Sequence, residues 1–215
     1  MKPAPPVTMA RTGRIVVVVF VTFEGPDWSG KSTQAALLAD RVRADGHEVI
    51  ATREPGGTPL GEAIRDLVLH GVEMSPWAEA ALFASARAEH VAALIRPALE
   101  RGAWVVCDRY VDSSIVYQGI ARGLGADRVL ALNEAVTGGL LPSLTFVLQL
   151  DAASARERCS GELDRIERES DEFRQVVAAG YLELARLYPD RVVSLDATEP
   201  ADRLAEQVRE RVRRG

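Results

Sequence analysis

Hydrophobic and polar positions divide the chain into two alternating kinds of segment. Short, nearly continuous apolar runs are typical of strands buried on both faces of a parallel sheet. Between them, apolar residues recur at helical spacing. The predicted strands are 15–23, 47–54, 103–107, 144–150 and 191–195, and the predicted helices are 30–45, 60–70, 76–101, most of 112–138, and 199–213. This alternation predicts an α/β fold with a doubly wound five-stranded parallel sheet and helices on both faces. Ligands then bind at the carboxyl ends of the strands.

One segment, 154–172, departs from this alternation. It is densely charged and has almost no apolar stripe. Most charge runs are the solvated face of a helix. The other interpretation is a mobile lid that carries arginines, and the spacing alone leaves both open.

The composition is that of a globular protein with one sizeable core, since 47% of the 215 residues are hydrophobic and 27% are charged. The net charge of −5 argues against a surface built to bind nucleic acid. An anionic ligand must therefore be held by a local cluster of Arg and Lys. Cys107 and Cys159 suggest neither a disulfide framework nor a metal site, which favours a reducing cytoplasm.

The N-terminal region has two features that need separate interpretations. Residues 1–13 are Pro-rich and polar, which predicts a disordered extension before a single domain over 14–215. Arg11 and Arg14 precede the apolar run, as in a signal peptide, but no small-residue cleavage site follows it. The run is also well short of the roughly 18 apolar residues of a membrane span. We interpret it as a buried strand and expect no membrane association.

The octet GPDWSGKS fits the template G-x-x-x-x-G-K-[ST] of a phosphate-binding loop. A predicted buried strand precedes it and a predicted helix follows, as the template requires. Backbone N–H groups and the helix N-terminus then face phosphate oxygens. In this interpretation Lys31 reaches the β- and γ-phosphates of a nucleotide and Ser32 ligates Mg²⁺. The predicted phosphate-binding residues are Gly25, Pro26, Asp27, Trp28, Ser29, Gly30, Lys31, Ser32 and Thr33.

Four stretches together resemble the bacterial thymidylate kinases, which transfer the γ-phosphate of ATP to dTMP. They are FEGPDWSGKST (23–33), TREPGGT (52–58), DRYVDSSIVYQG (108–119) and GELDRIE (161–167), and LFASARAEH (82–90) is a weaker fifth match. The resemblance extends from about Val16 to the C-terminus. It implies a P-loop kinase fold with a mobile lid at about 154–172, ATP as co-substrate, Mg²⁺ and a homodimer.

The resemblance also assigns the acceptor site. An acidic residue at the position of Asp27 meets the 3′-hydroxyl of the sugar in this family, although an Asp there also suits a turn. Arginines at two strand ends are suited to a phosphate dianion because of their fork geometry. An aromatic ring stacks on thymine, and a Tyr crowds the 2′ position of the sugar; in each case an ordinary buried core residue is the alternative. The predicted dTMP-binding residues are Asp27, Arg53, Phe83, Arg87, Arg109, Ser114, Tyr117 and Gln118.

Catalytic groups are predicted in the loop, the metal site and the lid. Ser32 and Asp108 are the predicted Mg²⁺ ligands. In the bacterial type, lid arginines stabilise the transferring group, and residues 26–29 of this chain indeed contain no Arg. Ser160 stands where relatives often have a further basic residue, which leaves open which lid arginine dominates. The predicted catalytic residues are Lys31, Arg156, Arg158 and Arg165, with Arg158 and Arg165 favoured.

Two other functions remain compatible with the sequence. The first is another nucleoside monophosphate kinase, or a deoxynucleoside kinase, of the same architecture. The second is a non-catalytic nucleotide-binding module whose phosphate loop has diverged, which the bulky Trp28 would suit.

Overall fold

The computed structural model describes residues 10–11, 14–15, 20–159 and 162–214. Within these ranges, the strands are β1 (Ala10–Arg11), β2 (Arg14–Ile15), β3 (Phe20–Glu24), β4 (Val49–Arg53), β5 (Trp104–Asp108), β6 (Leu144–Gln149) and β7 (Val192–Asp196). Strands β3 to β7 form one sheet in the order β4-β5-β3-β6-β7, and every neighbouring pair is parallel. The predicted parallel α/β sheet is confirmed.

Helices connect the strands of this sheet. They are α1 (Lys31–Ala44), α2 (Pro59–His70), α3 (Pro76–His90), α4 (Arg96–Glu100), α5 (Val111–Ser114), α6 (Ala126–Thr137), α7 (Ala152–Arg158), α8 (Asp171–Leu187) and α9 (Ala201–Arg214). Two π-helical segments, Val91–Ile95 and Ile115–Ala121, continue α3 and α5. Thr58 and Ser75 cap α2 and α3 by accepting backbone N–H groups, and a proline occupies the first turn of each helix. Each described helix is too short or too polar to traverse a bilayer.

Both faces of the sheet are covered by helices, as predicted. Neighbouring side chains of β5 alternate between two hydrophobic clusters: Val105 and Cys107 belong to one, and Val106 belongs to the other. The first cluster includes Ile95 beside α3 and Tyr181 of α8. The second includes residues of α1 and α9. Burial on both faces explains why the strands are almost entirely apolar.

The structure differs from the sequence predictions at the N-terminal end of the sheet. The central strand is described from Phe20 to Glu24, whereas the predicted strand began at residue 15. Ile15 instead pairs with Ala10 in the short antiparallel ladder of β1 and β2. Residues 16–19 and most of the predicted extension lie outside the described residues.

The charged segment 154–172 is not one helical face. Helix α7 ends at Arg158, and α8 begins at Asp171 after an irregular stretch that is described from residue 162. The sequence analysis did not identify α8 as a helix. Its residues Phe173, Val177, Tyr181 and Leu184 follow helical spacing and pack in the first hydrophobic cluster, so the signal was present.

The parallel register brings the sequence motifs to one edge of the sheet. In the register of the sheet, Asp108 of β5 lies opposite Arg53 of β4 on one side and opposite Phe23 of β3 on the other. Because β3, β4 and β5 all end at this level, the loops that follow them are neighbours. The site is built where these loops meet.

Candidate active site

The phosphate loop connects β3 to α1 and has a backbone that requires glycine at its first position. Gly25 has a φ of 137°, and a Cβ there would lie 2.5 Å from the carbonyl oxygen of Leu148. Gly30, with a φ of 91°, is the N-cap of α1. Such angles are strained for residues that carry a side chain. The loop therefore presents backbone N–H groups and a helix N-terminus, which is an anion-binding arrangement.

Lys31 is buried inside this loop. Its Nζ donates to the carbonyl oxygen of Pro26 at 2.6 Å and lies 3.4 Å from Ser29 Oγ. Burial, together with the nearby charge of Arg109, lowers the pKa of Lys31 to about 8. The ammonium group is thus poorly solvated, and phosphate oxygens would stabilise its charged form.

Ser32 and Asp108 meet as predicted for a metal site. Ser32 Oγ donates to Asp108 Oδ2. The other oxygen, Oδ1, is buried and has no hydrogen-bond partner among the described residues. A buried carboxylate oxygen left unpaired is costly, and a cation would satisfy it. One hydroxyl and one carboxylate fit Mg²⁺, which otherwise retains waters and binds substrate phosphates.

Trp28 adopts a left-handed backbone conformation, with a φ of 67°. It is half-buried and lines an apolar cavity between the phosphate loop and the segment that follows α7. Leu163, Ile166, Phe173 and Val177 contribute to the same cavity. The indole therefore lies beside the predicted lid.

A second cavity opens beside the loop on its other side. It brings together seven of the eight predicted acceptor-binding residues: Asp27, Phe83, Arg87, Arg109, Ser114, Tyr117 and Gln118. Residues from three separate motifs therefore share one concave surface.

Arg109 lies at the mouth of this cavity and is held from several directions. Its Nη2 pairs with Asp27, and its Nη1 donates to Gly25 O and Ser113 Oγ, both at 3.0 Å. Tyr117 OH donates to Asp27 Oδ2 at 3.2 Å. Although burial alone would raise the pKa of Asp27, the charges of Arg109 and Lys31 hold it below its ordinary value. Asp27 is therefore ionised at neutral pH and lies between the two cations.

Arg87 forms the inner end of the cavity and is buried. Its Nε donates to Glu54, its Nη1 to Ser114 and Asn133, and its Nη2 to the carbonyl oxygen of Tyr110. These contacts use four of the five N–H groups of a guanidinium. The remaining N–H belongs to Nη2, within a cavity-lining side chain, and suits a carbonyl oxygen of a base.

Phe83 and Gln118 complete the inner end. Gln118 is buried, and its Nε2 donates to Glu79 Oε1 at 3.0 Å, which fixes the orientation of the amide. Phe83 is half-buried and also packs against the first hydrophobic cluster. Its ring therefore contacts the hydrophobic core and also lines the cavity.

Arg53, the eighth predicted acceptor residue, lies outside this cavity lining. About half of its side chain is exposed, and its Nη2 pairs with Glu62 Oε2 at 2.9 Å. Arg65 of α2 lines the cavity instead and donates to Pro55 O at 3.0 Å. Arg65 was not predicted from the sequence, although its position three and four residues before the apolar Val68 and Leu69 was a usable signal.

The three predicted lid arginines have different surroundings. Arg156 is exposed, pairs with Asp171, and lines the cavity of Trp28. Arg158 donates to Ala197 O at 2.9 Å. Arg165 is buried, with Nη2 at 2.7 Å from Glu79 Oε2 and Nε at 2.9 Å from Val68 O. In this conformation Arg165 anchors the segment to α2 and α3.

Glu24, at the end of β3, is a further polar residue of the site that the sequence analysis did not select. It is fully buried and accepts from Tyr110 N and Ser113 Oγ. Burial and the neighbouring Asp112 carboxylate raise the pKa of Glu24 to about 8. A carboxylate that ends a continuous apolar run was the available signal.

A parallel sheet in this strand order, with a phosphate loop after its central strand and an arginine-lined cavity beside that loop, defines a P-loop kinase. The family model "Thymidylate kinase" matches residues 23–208. The chain therefore belongs to the thymidylate kinase family, and the predicted resemblance is confirmed.

Individual relatives agree with this assignment. A thymidylate kinase of Deinococcus radiodurans is 47% identical over 193 residues, which cover 88% of this chain and 94% of the relative. One of Symbiobacterium thermophilum is 50% identical over 194 residues, covering 89% and 91%. The crystal structure of a thymidylate kinase from Ehrlichia chaffeensis matches with a TM-score of 0.67 at 31% identity, covering 83% of this chain and 92% of that one.

We expect Trp28→Gly to raise the KM for ATP by roughly three- to tenfold, a loss of about 1 kcal/mol of binding free energy. Glycine relieves the left-handed strain at this position, but it also frees the loop and removes one wall of the apolar cavity. Trp28→Phe, which retains an aromatic ring, should stay within about twofold of the wild type. Steady-state kinetics of both variants test this, and unchanged constants for Trp28→Gly would show that the indole has no part in binding.

Proposed function

We propose that this chain transfers the γ-phosphoryl group of ATP to the phosphate of dTMP, and so forms dTDP and ADP. The observation that carries the proposal is the shared position of Asp27, which belongs to the phosphate loop and also lines the arginine-rich cavity. A donor phosphate on the loop and an acceptor phosphate at Arg109 would then face each other. Relatives of 47–50% identity that are named thymidylate kinase support the choice of acceptor.

The chemistry requires positioning and charge neutralisation more than a general base. A phosphate monoester has a second pKa near 6, so it is largely a dianion at neutral pH. Arg109 holds the dianion, and Lys31 stabilises negative charge on the transferring group. We assign Arg156 and Arg158, at the end of α7, to the transferring group once the predicted lid at about 154–172 closes, whereas Arg165 holds the lid to Glu79. Closure excludes the water that would otherwise hydrolyse ATP.

Mg²⁺ is part of the proposal because the residues fit it. Ser32 and Asp108 would hold the ion, and the unpaired Asp108 Oδ1 is the observation that supports it. When bound, the ion neutralises charge on the β- and γ-phosphate oxygens.

We also propose a homodimer in the cytoplasm that does not bind nucleic acid. Four exposed apolar residues support a contact surface on and between α2 and α3: Leu60, Leu67, Val72 and Trp77. Cys107 and Cys159 are free thiols, as suits a reducing compartment. The sedimentation mass of the purified chain tests the dimer, and a monomer at micromolar concentration would contradict it.

A substrate panel tests the function directly. With ATP and Mg²⁺, we expect ADP release to depend on dTMP, with kcat/KM at least ~100-fold lower for CMP, AMP and thymidine. Thymidine lacks the phosphate that Arg109 would bind, and the buried Arg87 and Gln118 fix donors at the base end. dUMP should be intermediate, since it differs from dTMP by one methyl group. ATP binding without dTMP-dependent ADP release would instead support a non-catalytic module.

A further inference from the structure

We infer that Glu24 is a positioning residue of the acceptor site, which fixes the Arg109 side chain through the hydroxyl groups of Ser113 and Tyr181. The inference rests on the proposed function, because Arg109 matters here as the group that holds the acceptor phosphate. Glu24 is not among the residues that line the acceptor cavity; it lies behind Arg109, at the end of the central strand.

The backbone around Arg109 is held by the end of β3. Arg109 has a φ of 70°, which is unfavourable for a residue with a side chain and persists only where its surroundings enforce it. Two hydrogen bonds from the end of β3 do so. Arg109 N donates to Phe23 O at 2.9 Å, and Tyr110 N donates to Glu24 Oε1 at 2.7 Å. One oxygen of Glu24 therefore holds the turn that aims Arg109.

The side chain of Arg109 is held by the other oxygen of Glu24, through two hydroxyl groups. The other oxygen, Glu24 Oε2, accepts from Ser113 Oγ at 2.5 Å and from Tyr181 OH at 3.3 Å. Ser113 Oγ and Tyr181 OH are 2.9 Å apart and lie 3.0 and 3.1 Å from Arg109 Nη1, whose two N–H groups they share with Gly25 O. In the ionised form of Glu24, which Ser113, Arg109 and the Tyr110 N–H favour, the hydroxyls direct their protons toward it and their lone pairs face Arg109. The carboxyl group thereby determines which group donates and which accepts in each of these hydrogen bonds.

Glu24 and its two hydroxyl partners belong to different elements of the fold. Glu24 lies on β3, Ser113 lies after β5, and Tyr181 lies on α8, the helix that follows the lid segment. All of Glu24 and Tyr181 is buried, so the geometry is held by packing on every side. A single carboxyl group thus connects β3, the turn after β5 that carries Arg109, and α8.

The test combines Glu24→Gln with Tyr181→Phe. In Glu24→Gln an NH₂ group can replace the accepting oxygen, so the hydroxyls must turn and compete with Arg109 Nη1. At about pH 9, where Glu24 is ionised, we expect the KM for dTMP to rise about tenfold, with kcat and the KM for ATP within about threefold. Tyr181→Phe, which removes one oxygen atom from a ring that stays packed, should raise the KM for dTMP about threefold. Because both act on one network, the double variant should show less than the product of the two effects.

Thr22→Val is the matched control. Thr22 is equally buried on the same strand and loses one hydrogen bond, to Thr145, but it makes no described hydrogen bond to Glu24, Ser113, Tyr181 or Arg109. It should leave the KM for dTMP unchanged. Equal losses for dTMP and ATP in Glu24→Gln, or multiplying effects in the double variant, would overturn the inference. If Glu24→Gln does not fold, an unchanged KM for dTMP in Tyr181→Phe would overturn it as well. A wild-type chain that does not phosphorylate dTMP would contradict the proposed function itself.

Discussion

We expect Lys31→Ala to lower kcat for dTMP phosphorylation by about three orders of magnitude, the scale seen when a preorganised cationic or hydrogen-bonding group is removed from a transferring centre. Lys31 is buried in the phosphate loop, and its only described hydrogen-bond partners are Pro26 O and Ser29 Oγ within that loop. No other lysine or arginine lies between residues 25 and 40, so the loop has no second cation to replace it. Steady-state and single-turnover rates with saturating ATP would measure the loss.

Lys31→Met is the matched variant for this experiment. Methionine retains a flexible apolar stem that fills the same buried volume, but it has no ammonium group. Both variants should lose turnover alike while their thermal unfolding stays close to that of the wild type. Near-normal turnover in either variant would contradict the assigned role of Lys31. A loss in the alanine variant alone would show that packing, and not charge, was responsible.

Arg109→Ala should raise the KM for dTMP by roughly 100-fold and change the KM for ATP by less than about threefold. Two hydrogen bonds from a charged donor to a dianion contribute on the order of 1.5–3 kcal/mol each, which more than accounts for that factor. The variant also leaves Asp27 without its ion pair at the mouth of the cavity. Calorimetric titration with dTMP and with ATP separates the two affinities.

Two further variants make the Arg109 experiment specific. Arg109→Lys keeps the charge but loses the fork, so it should recover part of the affinity. Arg101→Ala is the control, because Arg101 precedes the same strand at its opposite end and pairs with Glu48 at the surface. It should bind dTMP normally. Equal losses of dTMP and ATP affinity in Arg109→Ala would show that Arg109 does not belong to the acceptor side.

The sheet could be predicted from the sequence because burial on both faces makes each central strand a run of apolar residues. Strand β5 is an example: Val105, Val106 and Cys107 are all fully buried although they face opposite sides. The start of β3 could not be placed, since the run from residue 15 offers no internal boundary. Helix α8 was missed because its first residues belong to a charged run, and the helical spacing of Phe173 and Tyr181 becomes visible only beyond it.

The positions of the site residues were predictable where a sequence motif fixes the backbone. They were less predictable where an ion pair determines the position of a side chain. Residues of the phosphate loop and of the stretch 108–118 come together because parallel strands end at one edge. The side chains of Arg53 and Arg165 depend on partners far away in the sequence, Glu62 and Glu79. No spacing rule selects such partners, so an arginine chosen from a motif can lie at the surface or serve as an anchor. Its role in the reaction stays a prediction.

The position of Asp27 has a thermodynamic consequence. The charges of Lys31 and Arg109 both lower the pKa of its carboxylate, and the charge of Arg109 also lowers the pKa of Lys31. A triphosphate that alters the charge balance at Lys31 therefore alters the free energy of anion binding at Arg109. By linkage, dTMP must change the affinity for ATP by the same factor. We therefore expect ATP and dTMP to be coupled in binding, before any phosphoryl group moves.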